Sequence, residues 1–130
     1  MKQQKQKWAV ACITFHPPAD WEARMELVKR AERRLYLWKN SNEPTSEVQA
    51  TVLHEGHVNE GLGPALKALL EQAKADGYDY LWYLDQDTTF TIESLEFVNE
   101  FLEKHAFPSS YSAIRFAEWQ QLSPEANQLT

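Results

Sequence analysis

Asp85 and Asp87 stand one residue apart, directly behind the apolar stretch 78–84. Two carboxylates this close repel each other unless a positive charge lies between them. A hard divalent cation, Mg²⁺ or Mn²⁺, is the natural partner, because it takes one or two protein carboxylates and completes its shell with phosphate oxygens and water. The bare D-x-D pattern also fits one Asp capping a turn and the other solvated; its position behind a buried strand favours the metal. Asn59, Gly61 and Gly63 open the clearest helix of the chain. Glycine lets backbone approach a ligand closely, and a helix N-terminus favours an anion. A loop that needs glycine only to enter its helix explains the same residues equally well. His16 follows the first apolar stretch, where a ligand would lie. His54 and His57, beside Glu55, have the spacing of a metal pair, but they fall in a predicted loop without a third ligand and read as ordinary loop histidines. His105, near a helix end, reads as a partner of the helix dipole.

The elements that must position these residues follow from hydrophobic pattern. The stretch 8–15 is apolar without alternation, which predicts a strand covered on both faces. His16, Pro17 and Pro18 end it, and Asp20 is placed to cap a helix starting at Trp21, with Met25 and Val28 on the same side. Residues 35–38 and 48–53 predict a second and a third strand, separated by a loop over 40–44. Over 61–75, Leu62, Ala65, Leu66, Leu69, Leu70 and Ala73 recur at helical spacing, and Gly77 is placed to stop that helix. Residues 78–84 predict a fourth strand. A third helix, capped near Thr91, turns Leu95, Val98, Phe101 and Leu102 inward, and 112–116 predicts a last strand before a polar tail from about 120. Buried strands alternating with helices predict an α/β, Rossmann-like fold, a mostly parallel sheet with helices on both faces. Ligands bind such sheets outside the carboxyl ends of the strands, which singles out the loops after Phe15, Trp38 and Leu84.

The chain of 130 residues is sized for one domain, 1–130. Lys plus Arg is 13 against 19 for Asp plus Glu, a net charge of −6 that argues against nucleic acid as a partner. At 43% hydrophobic and 25% charged residues, the composition is that of a globular domain and not of a disordered one. The lone Cys12 permits no disulfide within the chain, so a cytoplasmic location is expected, and its apolar neighbours make it a core residue rather than a nucleophile. The basic start faintly resembles a secretory signal, but the apolar stretch behind it is short and runs into Pro17 and Pro18. No segment approaches the ~20 apolar residues of a membrane span. Five Trp and five Tyr, several on predicted strands, point to a core rich in aromatics and to a face that a second copy or a partner chain covers.

Four segments in order resemble one known family. Ile13-Thr14-Phe15-His16-Pro17 resembles a first-strand motif, and Lys39-Asn40-Ser41-Asn42 a segment after the second strand. Asn59-Glu60-Gly61-Leu62-Gly63-Pro64-Ala65-Leu66-Lys67 resembles a helix-opening motif, and residues 78–88 a strand ending in D-x-D. Together they are similar to the N-terminal, nucleotide-binding half of a family 2 glycosyltransferase of the GT-A fold, nearest to bacterial rhamnosyltransferase-like members. The resemblance spans most of residues 8–105. It implies that Thr14 and His16 border a nucleotide base, that Asn40 lies near base or ribose, and that Asn59, Gly63 and Asp85 belong to the same donor site. Asp85 and Asp87 would hold Mn²⁺ or Mg²⁺ against the diphosphate of a UDP-, dTDP- or GDP-linked sugar while an acceptor hydroxyl attacks the anomeric carbon. Three departures accompany it. Lys39 stands where the family carries an Asp, Lys67 where it carries a later Asn, and for the family's second half, with its acceptor site and general base, only the stretch after His105 remains, in which Glu118 is the one carboxylate in a conceivable place for the base.

Two other functions compete. One is a truncated GT-A-like domain that binds ligand or protein without turnover, as a homodimer or with a partner chain that supplies the acceptor side. The other is a haloacid-dehalogenase-type phosphohydrolase, in which Asp85 would take the phosphoryl group and Asp87 act as acid and base.

Overall fold

The computed structural model describes residues 8–45, 48–56 and 58–104. The last predicted strand over 112–116, the polar tail, His57, His105 and Glu118 lie outside them. Seven elements follow in order: β1 (Trp8–Thr14), α1 (Trp21–Arg30), β2 (Leu35–Lys39), β3 (Thr51–Glu55), α2 (Gly63–Ala75), β4 (Tyr80–Asp85) and α3 (Ile92–Lys104). The strands form one sheet in the order β3-β2-β1-β4, and every pairing is parallel. The fold is therefore α/β and Rossmann-like, as the alternation of elements predicts.

Strand β1 is central because it can be buried on both faces. Trp8, Val10 and Cys12 pack on one side with Trp21, Met25 and Val28 of α1 and Leu95, Val98 and Leu102 of α3. The small residues Ala9 and Ala11 face the other side, where they meet Leu69 and Ala73 of α2 and Tyr36 of β2. Bulk on one face and alanine on the other accommodate two helices above the sheet and one below. The placement obeys the right-handed crossover rule. The chain moves from β1 to β2 in one direction and from β3 to β4 in the other, so α1 and α2 must lie on opposite faces.

Several boundaries differ from the sequence reading. The third strand is Thr51–Glu55 rather than 48–53, because pairing with β2 sets its limits, through Tyr36 against Thr51 and Lys39 against Glu55. His54 therefore lies on a strand and not in a loop. Asp20 precedes α1 but makes no side-chain capping bond; its carboxylate turns to Arg24 at 2.7 Å instead. Among the described residues, no helix is long and apolar enough to cross a membrane.

Both inward-facing helices of the crossovers end in the same hydrogen-bonded motif, and only one was legible as glycine. At the end of α2, Gly77 has φ of 91°, its N–H donates to the Lys74 carbonyl, and the Tyr78 N–H donates to the Ala73 carbonyl, both at 3.0 Å. At the end of α1, Glu32 takes that role with φ of 58°, and the Glu32 and Arg33 N–H groups donate to Lys29 and Val28. A non-glycine residue in this left-handed conformation costs roughly 1–2 kcal/mol. Glu32→Gly should raise stability by about 1 kcal/mol, measured by urea unfolding; an unchanged or lowered midpoint would count against the strained turn.

Candidate functional site

From β1 the chain leaves to β2 on one side, and it returns to β4 on the other. The carboxyl ends of these three strands therefore border a crevice, the usual ligand position in an open parallel sheet. A cavity of about 220 Å³ lies there, lined by Ile13, Thr14, Phe15, Asn40, Asn59, Gly61, Leu62 and Gln86. The fold thus brings together Thr14, Asn40 and Asn59, which are far apart in sequence. A larger hollow of about 720 Å³ lies at the amino edge of β2 and β3, lined by Lys29, Arg33, Arg34 and Thr51 among others. Its two arginines are engaged elsewhere: Arg33 donates to Asn99 and to the Trp8 carbonyl, and Arg34 lies 3.7 Å from Asp76. The smaller cavity is the better candidate.

Gln86, between the two aspartates, locks the edge together. Its Oε1 accepts from the Phe15 N–H at 2.8 Å and its Nε2 donates to the Phe15 carbonyl at 3.0 Å. The side chain thereby extends the β1–β4 pairing one step past the last strand residues. Residues 85–88 form a turn closed by the Thr88 N–H on the Asp85 carbonyl at 3.0 Å. From beneath, Arg24 of α1 donates to the Gln86 carbonyl, with only 11% of its side chain exposed. Asp85 and Asp87 are both exposed on this turn. Asp85 accepts from the Tyr83 hydroxyl at 2.9 Å; burial chiefly, and then that bond, push the Tyr83 phenol well above its usual range.

Among the described residues no group of three or more His, Cys, Asp or Glu side chains converges. A cation here would be held by two exposed carboxylates alone. That donor set suits Mg²⁺ or Mn²⁺ arriving with phosphate oxygens and water, and does not suit a closed structural site. Gly63, the first residue of α2, does not line the cavity. Gly61 lines the cavity instead, with a φ of 86° that favours glycine. His16 and the two aspartates border the cavity without lining it.

His16 has φ of 47°, left-handed and unusual for a side chain of its size. Its N–H donates to Ser41 Oγ at 2.8 Å, the Ser41 hydroxyl donates to Glu43, and Glu43 bonds His16 Nδ1, closing a ring of three residues. The hydrogen bonds from Ser41 and then His16 hold the Glu43 carboxyl down at about 2. Lys39 is withdrawn from the edge: it is buried and pairs with Glu55 across the sheet at 3.3 Å. His54 stacks on Trp38 with ring centroids 4.2 Å apart, and its Nε2 lies 3.6 Å from Glu60.

Sequence reasoning named Thr14, His16, Asn40, Asn59, Asp85 and Asp87 but missed Gln86, Arg24, Ser41, Glu43 and Trp38. Gln86 was within reach, because it lies inside the motif. The others are ordinary polar or aromatic residues that acquire a role only through strand order. The chain matches no family model, no curated protein and no solved structure.

Two measurements check this geometry. Burial foremost drives the Cys12 thiol up to about 11; the nearby Trp21 indole opposes it, and of the smaller charge effects Asp85 and Asp87 raise it while Arg24 lowers it. Native protein at pH 8 should resist a thiol-reactive disulfide reagent and react fully in denaturant; fast native reaction would contradict the buried placement. Glu43 has a folded pKa below its unfolded value, so its contribution to stability is present above the unfolded carboxylate range and is lost as pH falls from about 5 towards 2. Glu43→Gln should therefore flatten the acid limb of the stability profile, and an unaltered limb would show that these bonds do not form in solution.

Proposed function

We propose that the chain is a glycosyltransferase-like protein that binds a nucleoside-diphosphate sugar through a divalent cation at Asp85 and Asp87. The observation that carries this reading is the cavity at the strand-order switch, whose lining joins Thr14, Asn40 and Asn59 to the residue between the two carboxylates. A phosphate seated beside the turn would meet acidic side chains in an acidic protein, and Mn²⁺ or Mg²⁺ supplies the charge that makes this favourable. Thr14, Asn40 and Asn59 would hold the nucleoside end. The four motifs of the family resemblance agree with this order along the edge.

A second reading, a nucleotide-binding domain without turnover, is favoured by Lys39. The resemblance asks for a carboxylate at that position. Here a lysine is buried and spent on Glu55, so the edge has been rebuilt at a place the family uses for binding. A homodimer or partner chain would then complete or regulate the site.

Calorimetric titration of UDP, dTDP and GDP with and without Mn²⁺ tests the donor site. Binding should require the metal, and Asp85→Asn/Asp87→Asn should weaken it at least tenfold, about 1.4 kcal/mol. Folded protein that binds none of the three nucleotides in Mn²⁺ would remove the proposal.

A further inference from the structure

At the amino edge of the sheet, the larger hollow gathers positive charge in a protein whose net charge is −6. Lys29, Arg30, Arg33 and Arg34 follow closely in sequence, and Lys29, Arg33 and Arg34 line the hollow together. Among the described residues, Glu32 is the one carboxylate in that lining. The end of α1 accounts for Lys29 and Arg30, which complement the helix dipole in its last turn. It does not account for Arg33 and Arg34, which lie beyond the helix on the way into β2.

The bonds these arginines make hold them in place without neutralising them. Arg33 donates to the Trp8 carbonyl at 3.2 Å and to Asn99 Oδ1 at 2.8 Å, and its guanidinium lies 4.3 Å from the centroid of the Trp8 ring. Both acceptors are uncharged, and they occupy two of the five N–H groups of the fork. Burial, opposed by Tyr78 and Glu103, pulls the Arg33 pKa below the usual arginine range, as expected of a cation short of compensating charge. Arg34 lies 3.7 Å from Asp76, too far for a hydrogen bond, and that carboxylate already accepts from Tyr36 and Gln72. The two arginines approach from the two faces of the sheet, Arg33 over Trp8 and Arg34 over Tyr36. Lys29 is exposed beside them.

We propose that this hollow is a second binding site, for a small soluble ligand that carries two or more phosphate charges. Its volume of about 720 Å³ falls in the range of small-ligand pockets. A guanidinium fork fixed in advance, a second arginine and a lysine suit phosphate oxygens, the arginines by paired N–H groups and the lysine as a point charge. Gln49 and Thr51 line the same hollow and add uncharged hydrogen-bonding groups. A concave site with cations on two sides fits a compact ligand with more than one charged group. Glu32, held left-handed at φ of 58°, is the lining residue that opposes such a ligand. Asp85 and Asp87 lie at the other end of the sheet, so this site does not depend on the donor reading above.

Calorimetric titration of inorganic pyrophosphate into the full chain, in metal-free buffer at physiological ionic strength, reads this site apart from the carboxyl edge, where phosphate is held only through a cation. Pyrophosphate should bind, and more tightly than inorganic phosphate. Lys29→Gln together with Arg34→Gln should weaken it about tenfold or more, because two charged hydrogen-bond donors are lost. Both side chains are exposed, and circular dichroism verifies the fold. Glu32→Gln removes the opposing charge and should tighten binding, a gain that a misfolded variant cannot mimic. No binding by the folded wild type overturns the proposal, and so does binding that these variants leave unaltered. Vesicles of phosphatidylcholine with phosphatidic acid should not retain the protein. Retention that Arg34→Gln abolishes would overturn the soluble ligand in favour of a lipid headgroup.

Discussion

The arrangement depends on β1 being hydrogen-bonded along both edges and buried on both faces. Val10 to Thr14 pair with β2, and Trp8 to Ile13 pair with β4. A strand enclosed in this way has only its ends left to meet solvent. Its carboxyl end, at the buried Thr14, is where neighbouring chains diverge to opposite sides, and the crevice forms there for that reason. Moving bulk from Trp8, Val10 and Cys12 to the alanine face would misfit the helices on both sides, because cores are close-packed and do not yield by a methylene without cost.

At that edge the chain manages charge economically. Arg24 lies under the Asp85–Asp87 turn and donates to its backbone, not to the carboxylates. Asp20 takes the other end of the guanidinium. The two exposed carboxylates are thus held at the surface by a positioned backbone, with Asp85 also accepting from Tyr83. Lys39, the one cation at the carboxyl end of β2, is turned to β3 and neutralised by Glu55.

Much of the fold was legible. The element types and their order were written in unbroken apolar strands and in the helical spacing of Leu69 and Ala73 or Leu95, Val98 and Leu102, because burial on two faces or on one stripe leaves a periodic trace. Gly77 was readable as a helix stop, whereas Glu32 in the same role was not, since residue type signals a left-handed turn only when it is glycine or asparagine. The third strand was misplaced because its start is set by pairing with β2 and not by its own apolar run. In the site, Asp85, Asp87 and Asn59 stood out by type and spacing, whereas Thr14 and Asn40 were named only through the family resemblance; spacing could not tell which of Gly61 and Gly63 bends the backbone, and it is Gly61.

The sequence by itself determined an α/β chain with carboxylates and small polar residues at the ends of its strands, because local hydrophobic pattern dictates where strands stop. Only the tertiary structure decided which polar groups meet. Gln86 reaches Phe15 across 71 positions, and Glu43 reaches His16 across 27. Those pairings follow from the order β3-β2-β1-β4, which sets the loops after β1, β2 and β4 side by side. Strand order is settled by the joint fit of all the faces and edges, and no stretch of residues encodes that fit alone.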